Sequence, residues 1–398
     1  GLNSPLSGPV EWENMRSLCV LWLASLQVQA AQSPLPRCDE DLSLSLLQAR
    51  ASALKGYTLP LEYASFRLLL RVSIGTLPAR VLLLDTGSST VAFCNTSLPE
   101  TLPLSNQTGL KACEQYGPTT PGDYFKDGYV GPFFQGELTL GTGGASSTLR
   151  IPDARYAIFA AGSCAPHLCT GQPSEGIFGV AYRKRNKVYP AFANLASSCS
   201  NFAGDIEMLC PSTSASLLPP LMQELRMTPE GSEIFGVYWS GGSDGSLLLG
   251  PAATQTAHFD PRAPTARLDS GDGASGWYNA NVMKIVIDDV EYSGLDCTKH
   301  ARACIIDTGT PGLLLPYQLA SWLGGFPSKL QFYLEGAHHQ PPVVLDFDLT
   351  TMTSVGTVQV MDPPKAMWDP LLVLGLPLWA HYYTLFNLTG DTVSFTRH

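Results

Sequence analysis

The chain predicts an all-β protein built from two diverged copies of one unit, and three observations carry that expectation. Thirty-seven glycines and 31 prolines punctuate many short Val/Leu/Ile runs, the spacing of strands and turns rather than of helices. The run Val81-Leu82-Leu83-Leu84 delivers Asp85 into a Thr86-Gly87-Ser88 turn, and Cys304-Ile305-Ile306 delivers Asp307 into Thr308-Gly309-Thr310. Each is answered downstream by an apolar run with an embedded glycine, Gly176-Ile177-Phe178-Gly179-Val180 and Leu372-Val373-Leu374-Gly375-Leu376. One Asp-Thr-Gly is an ordinary strand-end turn, where glycine accepts angles that a side chain disfavours. Two in matching surroundings point to a paired site.

At 398 residues, 44% hydrophobic and 15% charged, the chain can bury more than one core. Its start reads as an address. Met15-Arg16-Ser17, the apolar run Leu18 to Leu26 and the small-residue site Val28-Gln29-Ala30 form a secretory signal peptide over 15–30, cleaved after Ala30. Residues 1–14 lie upstream of Met15 and are expected not to be translated. Residues 31–56 form a short leucine-rich segment before the body begins at Tyr57.

The formal net charge of −10, with no basic face, excludes nucleic-acid binding. Of ten cysteines, Cys19 falls in the signal and Cys38 in the segment after it, which leaves eight for the body. Spacing suggests four bridges, Cys94 with Cys113, Cys164 with Cys169, Cys199 with Cys210 and Cys297 with Cys304, out of about 105 possible pairings. None of these spacings has the paired knuckles of a structural zinc site, so no metal is expected. Nor is any cofactor. Sequons at Asn95, Asn106 and Asn387 agree with export as a glycoprotein.

The two Asp-Thr-Gly turns do not stand alone. Phe66-Arg67-Leu68 through Ile74-Gly75-Thr76 leads into the first, and Gly179-Val180-Ala181-Tyr182 follows its answering run. Leu374-Gly375-Leu376-Pro377-Leu378-Trp379 with His381 to Asn387 follows the second. Together they resemble the pepsin-like aspartic proteases over residues 57–398. Trp277-Tyr278, Ile285-Val286-Ile287-Asp288 and Leu295-Asp296-Cys297 are most similar to the beta-secretase type. No apolar anchor follows Val393 to His398, so a membrane anchor like that of beta-secretases is not expected.

The resemblance implies a bilobal fold with pseudo-symmetric lobes at 57–236 and 237–398 and a cleft between them. It implies Asp85 and Asp307 as the catalytic pair, supported by Thr86, Gly87, Ser88, Thr308, Gly309 and Thr310. It makes residues 31–56 a pro-segment, with Arg37, Arg50 and Lys55 as its basic residues, and makes Asp123 to Tyr129 a flap hairpin over the substrate. Tyr124, Phe125, Asp127 and Gly128 are the flap candidates. The family's flap tyrosine aligns with Phe125, with Tyr124 one residue earlier. Either the hairpin is re-registered so that Tyr124 caps the site, or a phenylalanine does so without a hydroxyl. Ala92 stands where the family often has tryptophan, and Pro311 where serine or threonine is usual. A third turn, Asp269-Ser270-Gly271, lacks the preceding apolar strand, and Asp307 is preferred to it.

The function implied is a hydrolase: an aspartic-type endopeptidase cleaving extended polypeptides at acidic pH, monomeric, and secreted or delivered to a vacuole or lysosome. The alternative is an inactive relative that binds or inhibits other proteins through the same cleft.

Overall fold

The computed structural model describes residues 56–98, 106–115, 128–142, 144, 146–159, 169, 173–182, 186–190, 216–218, 220–222, 225, 234–269, 276–295, 297, 303–319, 327–351, 357–360 and 372–398. The expected signal peptide, nearly all of the expected pro-segment, Tyr124, Phe125, Asp127 and Cys164, Cys199 and Cys210 lie outside these residues.

The architecture is all-β, as the sequence predicts. The first half supplies β1 (Tyr57–Ala64), β2 (Arg67–Ile74), β3 (Arg80–Asp85), β4 (Val91–Cys94), β5 (Gln107–Gln115), β6 (Gly128–Leu140), β7 (Leu149–Phe159), β8 (Gly176–Gly179), β9 (Lys187–Pro190) and β10 (Ser216–Leu217). A hairpin, β11 (Ile234–Trp239) and β12 (Asp244–Leu249), follows, then the short helix α1 (Pro251–Gln255). The second half continues with β13 (Thr265–Arg267), β14 (Val282–Ile287), β15 (Val290–Ser293), β16 (Cys304–Ile306), β17 (Gly312–Leu315), β18 (Lys329–Leu334), β19 (Val343–Asp348), β20 (Thr357–Val360) and β21 (Leu372–Leu374). Helix α2 (Pro377–His381), β22 (Tyr382–Asn387) and β23 (Thr392–Arg397) complete it.

One sheet runs through both halves, in the order β10-β9-β5-β6-β7-β4-β8-β3-β2-β1-β12-β11-β22-β23-β13. Two four-stranded sheets, β15-β14-β18-β19 and β16-β21-β17-β20, belong to the second half. Side-chain alternation explains the strand faces. In β1, Tyr57, Leu59 and Leu61 are buried while Thr58 and Pro60 are exposed, the period of two that a half-buried strand requires. β18 and β19 repeat it with Leu330, Phe332 and Leu334 against Val343, Leu345 and Phe347.

An aromatic stack ties the core of the two halves together. Phe235 lies parallel to Phe386 at 4.7 Å, and Tyr278 is tilted against both. Trp239 and Trp379 are fully buried in the same large cluster, Trp239 stacked on Tyr63 at 4.3 Å. Each such ring contributes about 2–3 kcal/mol through burial.

The disulfide expectations need correction. Cys94 is bonded to Cys169, with their Cα atoms 5.6 Å apart, and not to Cys113; Cys169 is therefore not bonded to Cys164. Sheet order gives the reason. Cys113 lies on β5 and Cys94 on β4, with β6 and β7 between them, a separation of roughly 14 Å at the usual strand spacing and beyond reach of one bridge. Cys113 is itself disulfide-bonded, to a cysteine outside the described residues. In the second half Cys297 is bonded to Cys304. Of the sequon residues, Asn95 and Asn106 are exposed, and Asn387 is half-buried with its side-chain oxygen accepting the Gly390 N–H.

Candidate active site

Both Asp-Thr-Gly turns are built in the same way. β3 lies parallel to β8, with Asp85 opposite Gly179, and β16 lies parallel to β21, with Ile306 opposite Leu374. The answering strand then doubles back under the turn. Ser88 O accepts from the Ala181 N–H at 2.7 Å, and Thr310 O accepts from the Leu376 N–H at 2.9 Å. The apolar-Gly runs of the sequence are thus the braces of the two turns.

The turns lock across the molecule through their threonines. The Thr86 N–H donates to Thr308 Oγ1 at 3.0 Å and the Thr308 N–H to Thr86 Oγ1 at 2.9 Å. Each hydroxyl then donates onward to the carbonyl that precedes the other aspartate, Thr86 Oγ1 to Ile306 O at 2.8 Å and Thr308 Oγ1 to Leu84 O at 2.7 Å. Both threonines are fully buried, so none of these four groups has water as a substitute.

This lock brings the two carboxyls together at the surface of the core, where Asp85 is 6% exposed and Asp307 8%. Asp85 Oδ1 accepts the Gly87 N–H at 2.8 Å and its Oδ2 accepts the Ser88 hydroxyl at 2.5 Å. Asp307 repeats the pattern, with the Gly309 N–H on Oδ1 at 2.9 Å and the Thr310 hydroxyl on Oδ2 at 2.6 Å. The glycines are required by space. A Cβ at Gly309 would lie 2.7 Å from Asp85 Oδ1 and 3.2 Å from Asp307 Oδ1, and one at Gly87 would lie 2.9 Å from Asp307 Oδ1.

Burial holds the Asp85 carboxyl well above its ordinary 3.8, and the charge of Asp307 pushes it further in the same direction. The Ser88 hydroxyl pulls it down, a hydrogen bond with Asp307 pushes it up, and the Gly87 amide pulls it down again. Two buried carboxyls whose charges act on each other hold one proton between them more readily than none. The arrangement can therefore offer an acid and a base side by side.

The flanks of the two turns differ. In the β2–β3 ladder Leu69 stands opposite Leu83, and Arg67 and Asp85 each lie two residues beyond that pair, at the same end of the ladder. In the second half Asn279 bridges Ile305, and Trp277 stands two residues before Asn279, its carbonyl accepting the Asn279 N–H at 2.9 Å. The Trp277 indole N–H crosses to the first turn and donates to Gly87 O at 3.0 Å. Tyr278 donates to Val180 O, and the Tyr182 hydroxyl donates to Asp391, so further bonds pass between the halves in both directions.

Ala92 is fully buried among Phe133, Ala157, Phe159 and Ile177, a filled apolar site with no polar hydrogen to offer. Pro311 is exposed, whereas Ser89 at the matching position of the first turn is buried and donates to Tyr182 O at 2.6 Å. Asp269 accepts from the Asn279 amide, which in turn accepts the Cys304 N–H at 2.6 Å, so the third turn's aspartate supports the strand that carries Asp307. Gly128 opens β6, opposite Gln115, and the remaining flap candidates lie outside the described residues. Among the described residues, no group of three His, Cys, Asp or Glu is placed to hold a metal ion, and no helix is long and apolar enough to cross a membrane.

Arg67 Nη1 donates to the Ser174 hydroxyl at 3.1 Å; the sequence singles out neither residue as part of the site, and carries Trp277 only as part of a family likeness. The signal for Arg67 was present: a charge near the start of a strand whose partner ends in the aspartate.

No protein-family model and no curated protein matches the chain. Among solved structures, it is similar to the crystal structure of an aspartic proteinase from Irpex lacteus, at 16% sequence identity, with a TM-score of 0.59 over 86% of this chain and 97% of that one. The fold is therefore that of the pepsin-like aspartic proteinases.

Proposed function

We propose that this chain is an aspartic endopeptidase that hydrolyses peptide bonds of extended polypeptides at acidic pH through Asp85 and Asp307. The observation that carries the proposal is the paired carboxyls, each held by its own glycine amide and hydroxyl and brought together by the threonine lock. Peptide hydrolysis needs a base to activate water and an acid to protonate the carbonyl oxygen. A carboxyl pair that shares one proton supplies both without a covalent intermediate, the established logic of the proteinases whose fold this chain has. The ionised member takes a proton from the water as it attacks, and the protonated member donates to the oxygen of the scissile carbonyl. The proton belongs to the pair, not to either residue.

Ser88 and Thr310, each donating to Oδ2 of its own aspartate, hold the carboxyls in orientation, and the threonine lock ties the two turns that carry them. The chain's disulfides and sequons support an exported or vacuolar protein. Action on polypeptides as a monomer, with residues 31–56 as a pro-segment, completes the proposal. The lobe boundary near residue 237 falls within β11.

The test is cleavage of a denatured protein mixture from roughly pH 3 to pH 7, the range in which carboxyl pairs act as acid and base. It is run with and without a statine-type transition-state analogue, and the new termini are identified. Analogue-sensitive cleavage at the acidic end is expected. A protein that binds polypeptides stoichiometrically and yields no new termini, with residues up to 56 removed, is instead an inactive binder. The apolar Ala92 site and the exposed Pro311 are the observations that favour that second reading.

A further inference from the structure

Three arginines border the β2–β3 ladder, and two of them are neutralised locally. Arg71 is paired with Glu62 at 2.6 Å and Arg80 with Glu175 at 3.1 Å. Arg67 is different. Among the described residues no carboxylate lies within ion-pair distance of it, and its hydrogen-bond partner is the hydroxyl of Ser174, 3.1 Å from Nη1.

Its position is set by the ladder. Leu68, Leu70 and Val72 of β2 and Leu82 and Leu84 of β3 face the main core, fully buried. Arg67 and Leu69 of β2 lie on the other face, with Leu83 and Asp85 of β3, because successive side chains alternate. Ser174 precedes β8, the strand on the far side of β3. A side chain that starts on β2 and ends at Ser174 therefore passes over β3, beside Leu83 and upstream of Asp85. Ser174 is 2% exposed and its neighbour Glu175 is already taken by Arg80, so the anchor is rigid and adds no charge.

We infer that Arg67 is a specificity-determining residue: its guanidinium receives an aspartate or glutamate side chain of the substrate within three residues of the scissile bond. This rests on the proteolytic reading of the site. A guanidinium has five N–H donors in a planar fork that matches a carboxylate, and Ser174 occupies one of them. Burial lowers the proton affinity of Arg67 while the nearby charge of Asp85 raises it, as expected for a cation held partly out of water beside the pair. An extended substrate advances about 3.3 Å per residue, so a group over Leu83 is reached from the first three positions on one side of the bond. The equivalent flank of Asp307 carries the neutral Trp277, already hydrogen-bonded to Gly87 O, so the charge selection is confined to one side.

The experiment compares statine-containing peptides that are identical except for Glu or Gln at each of the three positions on either side of the statine. Affinity is measured by calorimetry at an acidity where the glutamate is ionised, on the full chain and on R67Q and R67K. At one position the Glu peptide should bind the native chain roughly 10- to 100-fold more tightly than the Gln peptide, the range of a charge-assisted fork. R67Q should erase the difference without weakening the Gln peptide, and R67K, which keeps the charge and the fold, should retain part of it. An equal response of both peptides to R67Q would mean that Arg67 acts through Asp85, and would overturn the inference. So would the absence of a Glu advantage at every position, including the absence of any binding. Cleavage of the denatured mixture without a Glu advantage removes this inference alone. A Glu advantage without cleavage removes the proteolytic reading alone.

Discussion

The two Asp-Thr-Gly turns are nearly superposable in their bonds and unlike in their surroundings. Inside, every feature is duplicated: the glycine amide on Oδ1, the hydroxyl on Oδ2, the threonine exchange and the brace from the answering strand. Outside, Asp85 has Arg67 at the same end of its ladder and a buried Ser89 after its turn, whereas the strand before Asp307 is bridged by Asn279, with Trp277 just ahead of it, and its turn is followed by an exposed Pro311. Under the proposed function, two carboxyls that share one proton need equal support, which would constrain the inner bonds to match. A polypeptide substrate has a direction, so the two flanks would meet different parts of it and be free to diverge.

The strongest way to break this equivalence is to remove one carboxylate at a time. Asp85→Asn and Asp307→Asn should each lower kcat about 10³-fold or more, since neither amide can serve as the base and the pair acts as a unit. Initial rates of peptide cleavage check this, and full activity in either variant would show that the turns are not equivalent partners.

Next come the glycines. Gly309→Ala puts a methyl 2.7 Å from Asp85 Oδ1, and Gly87→Ala puts one 2.9 Å from Asp307 Oδ1, closer than real contacts allow. Each should displace the opposite carboxyl and cost about 100-fold in kcat, with the urea midpoint little changed.

The threonines test stability instead. Thr86→Val and Thr308→Val each strand a buried N–H and a buried carbonyl of the other turn, which should cost about 2–4 kcal/mol in either case. The double variant should cost less than the sum, because both substitutions break one network. Unequal single losses in denaturant unfolding would reveal a hidden asymmetry in the lock.

The smallest effect sharpens the comparison through pH. The Ser88 hydroxyl pulls the Asp85 carboxyl down, so Ser88→Ala should move the alkaline limb of kcat/KM to higher pH. Stability has its own sign. The folded value of Asp85 lies above the unfolded one, so its contribution is fully present below about pH 4 and is lost as pH rises through the folded value. Asp85→Asn should lack that part of the loss when urea midpoints are compared across the same pH range.

The reach of the sequence differs from one feature to another. The two turns, their braces and the all-β class were legible because they depend on short-range pattern: an apolar run, a turn residue, a repeat of both. The roles of the groups at the turns, from Thr86 to Thr310, came only through the family resemblance that those patterns carry. The Cys94 partner was not legible, because neighbours in sequence are an unreliable guide once β6 and β7 are inserted between β4 and β5. Asp269 is a further case. Its turn resembles the other two locally, yet the structure uses it to hold Asn279 and, through it, the Cys304 amide.

By itself, then, the sequence determined the repeat, the identity of the two aspartates and the apolar strands that deliver them, since each is encoded within about ten consecutive residues. Only the tertiary structure decided that Arg67 would lie at the Asp85 end of its ladder and bond Ser174, and that Trp277 would reach Gly87. Cross-strand neighbours are chosen by ladder register, which is set by the burial of whole strand faces and by the turns between strands, and so cannot be read from either residue alone.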